Sequence, residues 1–152
     1  MLRGMPELTH DDDFRRVLTE TRVVAVLGAH PETGRAAFYV PDYLHDNGYR
    51  VIAVNPMLSG ETMWGEPVRR SLAELAGEQI DMVDIFRRPQ ALPGHVADIL
   101  AMKPAPRVIW FQLGIRNDPV AQQLVEAGLD VVQDRCTLAD HRRLRVPAHT
   151  GT

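Results

Sequence analysis

Uninterrupted apolar runs of strand length alternate along the chain with segments whose apolar residues recur every three or four positions. The runs are "RVVAVLG" (22–28), "YRVIAVNP" (49–56), "DMVDIF" (81–86), "RVIWFQLG" (107–114) and "LDVVQD" (129–134). Most lack in–out alternation, the mark of strands covered on both faces. Ahead of the first, Asp11 to Thr19 reads as a short helix: its aspartates suit the positive end, and Phe14, Val17 and Leu18 share a face. Ala36 to Asn47 reads as a helix with Phe38, Val40, Tyr43 and Leu44 inward and Pro41 near its first turn; Asn47-Gly48 closes it as a left-handed cap. "GETMWGEP" (60–67) is expected as a loop or minor strand, with Ser71 capping a helix through Leu75. Pro89 is expected to start a helix to about Met102, with Pro93 in its first turn or kinking it. Asn117 to Ala127 is a further helix begun by Asp118-Pro119, and a short basic helix follows from Thr137.

Strands alternating with helices predict an α/β fold: one Rossmann-like, doubly wound domain with a mostly parallel five-stranded sheet, room for an extra short strand, and helices on both faces. Residues 1–20 read as an N-terminal helical extension, 21–144 as the Rossmann-like domain and 145–152 as a frayed tail. Such sheets take ligands beyond the carboxyl ends of their strands. The candidate rim is therefore 28–35, Asn55-Pro56, 86–89, 112–117 and 134–136.

Composition narrows the classes. The chain has 152 residues, 45% hydrophobic and 24% charged, within ordinary globular usage. A net charge of −3 argues against a nucleic-acid or membrane-surface binder. The single cysteine, Cys136, excludes an internal disulfide framework and suits a reducing cytoplasm. No apolar run approaches the roughly 18 residues of a membrane span, and "MLRGMPELTHDDD" lacks a leader's apolar core, so a cytoplasmic location is expected.

The first rim turn, G-A-H-P-E-T-G-R, is not G-x-G-x-x-G. Gly28 permits a tight exit from the strand, Gly34 permits close backbone approach, and Arg35 adds charge beside amides that would attract a phosphate; a plain strand-to-helix turn stays open. The second strand ends in neutral Asn55-Pro56, where a nicotinamide-binding fold normally places an acid for the ribose hydroxyls. Arg87 and Arg88 after Phe86 are either solvated charges or phosphate contacts, and Gln112 is either a satisfied core group or a site contact. No histidine–cysteine spacing suits a metal, and no G-x-S-x-G elbow or assignable triad points to a nucleophile. Cys136 follows Arg135, whose charge would lower a thiol pKa if the two faced each other; a buried, inert cysteine is the alternative.

The set "VAVLGAHPETGR", "GYRVIAVNP", "DMVDIFRRP", "VIWFQLGIRND" and "GLDVVQDRC", in this order and spacing, resembles the small stand-alone coenzyme A-binding proteins. These are in turn similar to the N-terminal domain of the succinyl-CoA synthetase alpha subunit. The resemblance runs from about Thr21 to Leu144. It implies that CoA or an acyl-CoA lies across the strand ends, without catalysis by this chain. Gly28, Ala29, His30 and Arg35 would then face the diphosphate. Asn55, Pro56, Phe86 and Arg87 would flank the adenosine, and Gln112, Gly114 and Asn117 the pantetheine arm. Related sequences carry G-A-S in the first turn and a serine near Ala36 or Ala37; here His30 and two alanines stand instead. An NAD(P)-dependent oxidoreductase domain, or a subunit needing a partner chain for acyl-CoA chemistry, are the alternatives. A homo-oligomer stays open.

Overall fold

In the computed structural model, which describes residues 7–150, the five apolar runs are the strands β1 (Val23–Leu27), β2 (Arg50–Val54), β5 (Met82–Ile85), β6 (Val108–Phe111) and β7 (Asp130–Val132). The "GETMWGEP" segment supplies β3 (Thr62–Met63) and β4 (Glu66–Pro67), a small antiparallel hairpin. The five long strands pair in parallel in the order β2-β1-β5-β6-β7. From β1 the chain builds outward to β2, then returns to β1's other side and continues through β5, β6 and β7. The direction of winding therefore reverses between β1 and β5, the switch point at which such sheets open a crevice.

Both faces are covered, as the continuous apolar runs require. Helices α1 (Asp11–Glu20), α2 (Ala36–Asp46) and α5 (Thr137–Arg143) lie on one face. There Phe14, Leu18 and Leu44 meet Val24, Val26, Val51 and Trp110. The opposite face holds α3 (Val96–Leu100), α4 (Asp118–Glu126) and two 3-10 turns, Leu72–Leu75 and Pro89–His95. Its core joins Leu92, Ile99, Val120 and Leu124 to Ala25, Leu27, Val83 and Ile109. Each fully buried Leu, Ile or Phe contributes roughly 1.5–3 kcal/mol of transfer free energy, which fixes the sheet as a rigid base for its loops.

Several local expectations change. Pro41 lies inside α2, not in its first turn. It cannot donate to the Ala37 carbonyl, which instead accepts from the His30 amide at 3.3 Å and so ties the β1–α2 loop to the helix. Pro89 and Pro93 hold 89–95 in a 3-10 helix, and the α-helix is confined to Val96–Leu100. Ser71 precedes a 3-10 turn and makes no side-chain cap. Residues 145–150, expected to fray, pack back onto the fold. Val146 is buried, His149 donates through its amide to Asn47 O at 2.8 Å, and its Nε2 donates to Thr21 O at 2.6 Å. The tail lies so close to the α2 cap that a Cβ on Gly48, at φ +90°, would come 2.0 Å from the His149 carbonyl oxygen. The ends of the expected extension and tail, 1–6 and 151–152, lie outside the described residues.

Candidate functional site

At the switch point β1 and β5 end side by side. Gly28 leaves β1 at φ +92°, and a Cβ there would lie 2.5 Å from Phe86 O and 3.1 Å from the Arg87 Cδ. Only glycine lets the two strand ends come this close. Beyond them opens a cleft of about 440 Å³, walled by Ala36, Tyr39 and Val40 of α2, by 86–89 after β5, by 112–115 after β6, and by Cys136. A second opening of about 540 Å³ shares Phe86, Arg87 and Arg88 and continues to Gln90 and Ala91. Two adjoining clefts with common arginines suit an elongated anionic ligand. Among the described residues the large apolar side chains left exposed are Tyr39, Met57, Leu100 and Leu113, and all but Leu100 stand at this carboxyl edge. Their concentration there marks a surface built to be covered. A further cleft of about 330 Å³, between Leu72–Leu75 and 101–104, lies at the amino end of β6, away from the strand ends.

The expected site residues divide by what their polar groups already do. Phe86, Arg87, Gln112 and Gly114 line the main cleft; Gly28 packs against Phe86 and Arg87 of that lining, and Ala29, expected to face a ligand, is fully buried. The side chain of Asn55 is occupied: Nδ2 donates to Ala29 O at 2.8 Å and Oδ1 accepts from the Met57 amide at 2.8 Å. It thereby fastens the β2 exit, including Pro56, to the β1 loop. Asn117 is equally engaged, capping α4 through Val120 N at 3.1 Å and donating to Pro89 O at 3.0 Å. The Gly114 amide donates to Asp134 Oδ1 at 2.6 Å. His30 accepts the Glu32 amide on Nδ1 at 3.1 Å, bracing the first turn. Arg35 precedes α2, exposed and paired with Glu32 at 2.9 Å. Gly34 has no heavy atom within 4 Å of a built Cβ, so its side is open for a ligand and not pressed on a helix.

The electrostatics sharpen these roles. Arg87 Nε donates to His95 Nε2 at 3.3 Å, and burial together with that guanidinium holds the imidazole below its usual range. Arg88, exposed, lines both clefts and is the less engaged of the two arginines. Arg135 does not serve Cys136: it grips Asp140 at 2.7 and 2.8 Å and lies over Phe14. Burial pushes the half-buried Cys136 thiol up, and the Asp84 and Asp140 carboxylates add to the rise. An activated thiolate is therefore not what this cysteine offers.

Sequence reasoning missed one residue behind the cleft wall and two within it. Asp84, at no measurable exposure in the middle of β5, is hydrogen-bonded to Gln112 and Thr137, both also buried. Burial pushes its carboxyl up to about 7, against the pull of those two hydrogen bonds. The available signal was a lone acid within the apolar run "DMVDIF". Tyr39 and Val40 were also hidden, because helix periodicity assigns a face but not which end of it meets a strand edge.

Among the described residues no group of three or more His, Cys, Asp or Glu side chains is placed to hold a metal, and no helix is long and apolar enough to cross a membrane. The chain is 34% identical over 129 residues to the Bacillus subtilis protein YneT, covering 85% of this chain and 92% of that one. A Thermus thermophilus structure, solved as cell-free ID.343, superposes with a TM-score of 0.84 at 43% identity, covering 90% of this chain and 99% of its own. A Pyrococcus horikoshii protein of hypothetical status gives 0.82 at 32% identity over 95% and 99% of the two chains. Residues 22–142 match the CoA binding domain, from the β1 approach through α5, and the chain belongs to that family.

Proposed function

We propose that the protein binds coenzyme A or an acyl-CoA across the carboxyl ends of its parallel strands and performs no chemistry on it alone. One observation carries the reading: in a chain of this family, the switch-point cleft is rimmed by Arg87 and Arg88 and flanked by exposed Tyr39 and Leu113. Charge at one end and apolar surface at the other match a ligand with a phosphorylated nucleotide and a long uncharged arm. In this reading Gly28, His30 and Arg35 face the diphosphate, with the first-turn amides of α2 beside them, while Ala29, fully buried, supports that turn from within through its bond to Asn55. Pro56, Phe86 and Arg87 flank the adenosine, Asn55 holding that loop from within, while Gln112, Gly114 and the Asn117-capped turn border the arm.

A nicotinamide dinucleotide fits less well. The β2 end offers Asn55, neutral and already bonded through both ends of its amide, where a ribose needs an acceptor pair. Asp84 is enclosed and cannot touch a ligand, so its raised pKa does not make it a proton donor to substrate. The test is thermal denaturation with CoA, acetyl-CoA, NAD and NADPH at matched concentration. CoA species should raise the melting temperature in a concentration-dependent way. Larger shifts with the nicotinamide nucleotides would overturn the reading.

A further inference from the structure

Strand β5 carries a carboxylate where its register partners, Val26 on β1 and Trp110 on β6, are apolar. Its partners form a closed ring. Gln112 Nε2 donates to Asp84 Oδ1 at 2.9 Å and to Thr137 Oγ1 at 2.8 Å, and Thr137 Oγ1 donates to Asp84 Oδ2 at 3.3 Å. An ionised carboxylate only accepts, a hydroxyl gives one proton, and a primary amide gives two. Both Gln112 protons are thus engaged inside the ring. With Asp84 ionised, an amide turned over would set its oxygen against the carboxylate with no proton between them. Above about pH 7, where that carboxyl is ionised, the ring therefore fixes which end of the amide faces outward, and that end is Oε1.

This oxygen has no donor among the described residues, although Gln112 is only 3% exposed. The one fully enclosed, unpartnered side-chain atom among the described residues is His141 Nε2, so Gln112 Oε1 is open to the space its side chain lines. That space is the main cleft, beside Leu113, Gly114 and Cys136. A single acceptor held in an apolar wall asks for one donor from the ligand.

We propose that Asp84 and Thr137 are positioning residues that hold Gln112 as a fixed hydrogen-bond acceptor, and that it receives an amide N–H of a pantetheine arm. The ligand class rests on the CoA reading above; the ring does not. The surrounding wall of Tyr39, Val40, Leu113 and Ile115 suits a narrow uncharged arm, while the phosphates belong with the arginines at the other end. A pantetheine arm carries two secondary amide N–H groups. A wall with one unpaired acceptor discriminates against analogues that bring no donor.

Calorimetric titration at pH 8 of wild type and D84N with CoA and with adenosine 3′,5′-bisphosphate, which lacks the arm, tests the pairing. The D84N side chain brings its own amide donor to the ring, so Gln112 is released to turn its nitrogen outward. The dissociation constant for CoA should rise about tenfold, the loss of one such hydrogen bond, while that for the bisphosphate changes less than about twofold. Equal losses for both ligands, or none for CoA, would overturn the proposal. The ring is read separately in unliganded wild type by ¹⁵N NMR of the Gln112 side-chain amide, assigned by its disappearance in Q112L. Both protons should exchange slowly; fast exchange refutes the ring even if D84N does not fold. Wild type that binds neither ligand would sink the CoA reading, with the NMR result still deciding the ring.

Discussion

Asp84→Asn also makes a prediction about stability, independent of any ligand. The carboxyl is fully buried and burial pushes it from 3.8 to about 7, the Gln112 and Thr137 bonds only partly opposing the rise. An unfolded aspartate titrates near 3.9. Between about pH 4 and pH 7 the native chain thus keeps a proton that the unfolded chain has released. Stability tied to this group is present below pH 4 and is lost as pH rises to about 7. At ~1.4 kcal/mol per pH unit, the span corresponds to roughly 4 kcal/mol, an upper bound because the ring relaxes on ionisation. An asparagine of the same shape does not titrate and avoids that cost.

The wild-type curve alone does not isolate the effect. Glu66, whose carboxyl the Arg50 hydrogen bond holds low, and Asp118, held low by Gln133 and Arg116, lose stability as pH falls and so act in the opposite direction. They cancel in the difference between D84N and wild type. Urea unfolding followed by far-UV circular dichroism from pH 4.5 to 8 should show that difference moving in favour of D84N, by up to ~3 kcal/mol across the window. A difference that stays flat with pH would refute the buried, proton-sharing carboxyl. A variant that gains stability at pH 8 while losing affinity for CoA would show that the ring is held against its own electrostatic cost.

Arg35→Ala should weaken CoA ten- to a hundredfold, the worth of a charge-assisted phosphate contact, with the melting temperature unmoved, because its ion pair with Glu32 is exposed. Unchanged affinity in a titration would pass the anchor to Arg88. Gly28→Ala should destabilise the fold by at least ~1–3 kcal/mol in urea unfolding, since its φ of +92° and its contact with Phe86 O both exclude a Cβ. Gly34→Ala, with open space around it, should leave stability intact and lower CoA affinity alone; a loss of stability instead would make that glycine a packing residue. Cys136 should alkylate more slowly in the native protein than in urea, and more slowly still with CoA present, as followed by intact mass. A rate insensitive to CoA would exclude the cysteine from the occupied cleft.

The sheet was legible because its strands carry a signal that does not depend on context. A run such as "VIWF" or "VIAV" has no polar position to place in water, so it is buried on both faces wherever it sits. Strand order was not legible. Nothing in "DMVDIF" says that it pairs with β1 and not with β2, and the crevice exists only because it does. The helix expected over 89–102 failed for a local reason: Pro93 has no amide to give the Pro89 carbonyl, which accepts from Asn117 instead, and the segment holds 3-10 geometry until Val96. The tail was misread because its packing rests on His149 reaching Thr21 and Asn47, contacts more than a hundred residues apart in the chain.

The site shows the same division more sharply. Reading polar residues at strand ends as ligand contacts finds the right edge of the sheet but not the right roles, because a strand end makes two demands. The chain must leave the sheet and turn, which exposes backbone groups needing partners. Asn55, Asn117 and Asp134 meet that demand, bonding Ala29 O, Val120 N and Gly114 N. What then remains for a ligand is what the turns leave over: exposed Tyr39 and Leu113, the charge of Arg88, and the outward oxygen of Gln112. Gln112 and Asn117 look alike in sequence, each an amide just past a strand. Only counting donors against acceptors separates them: Asn117 has both ends engaged by backbone, whereas Gln112 has its nitrogen held by Asp84 and Thr137 and its oxygen without a donor. Recognition at this edge is assigned by that count, and the residue that controls it, Asp84, is one the ligand never touches.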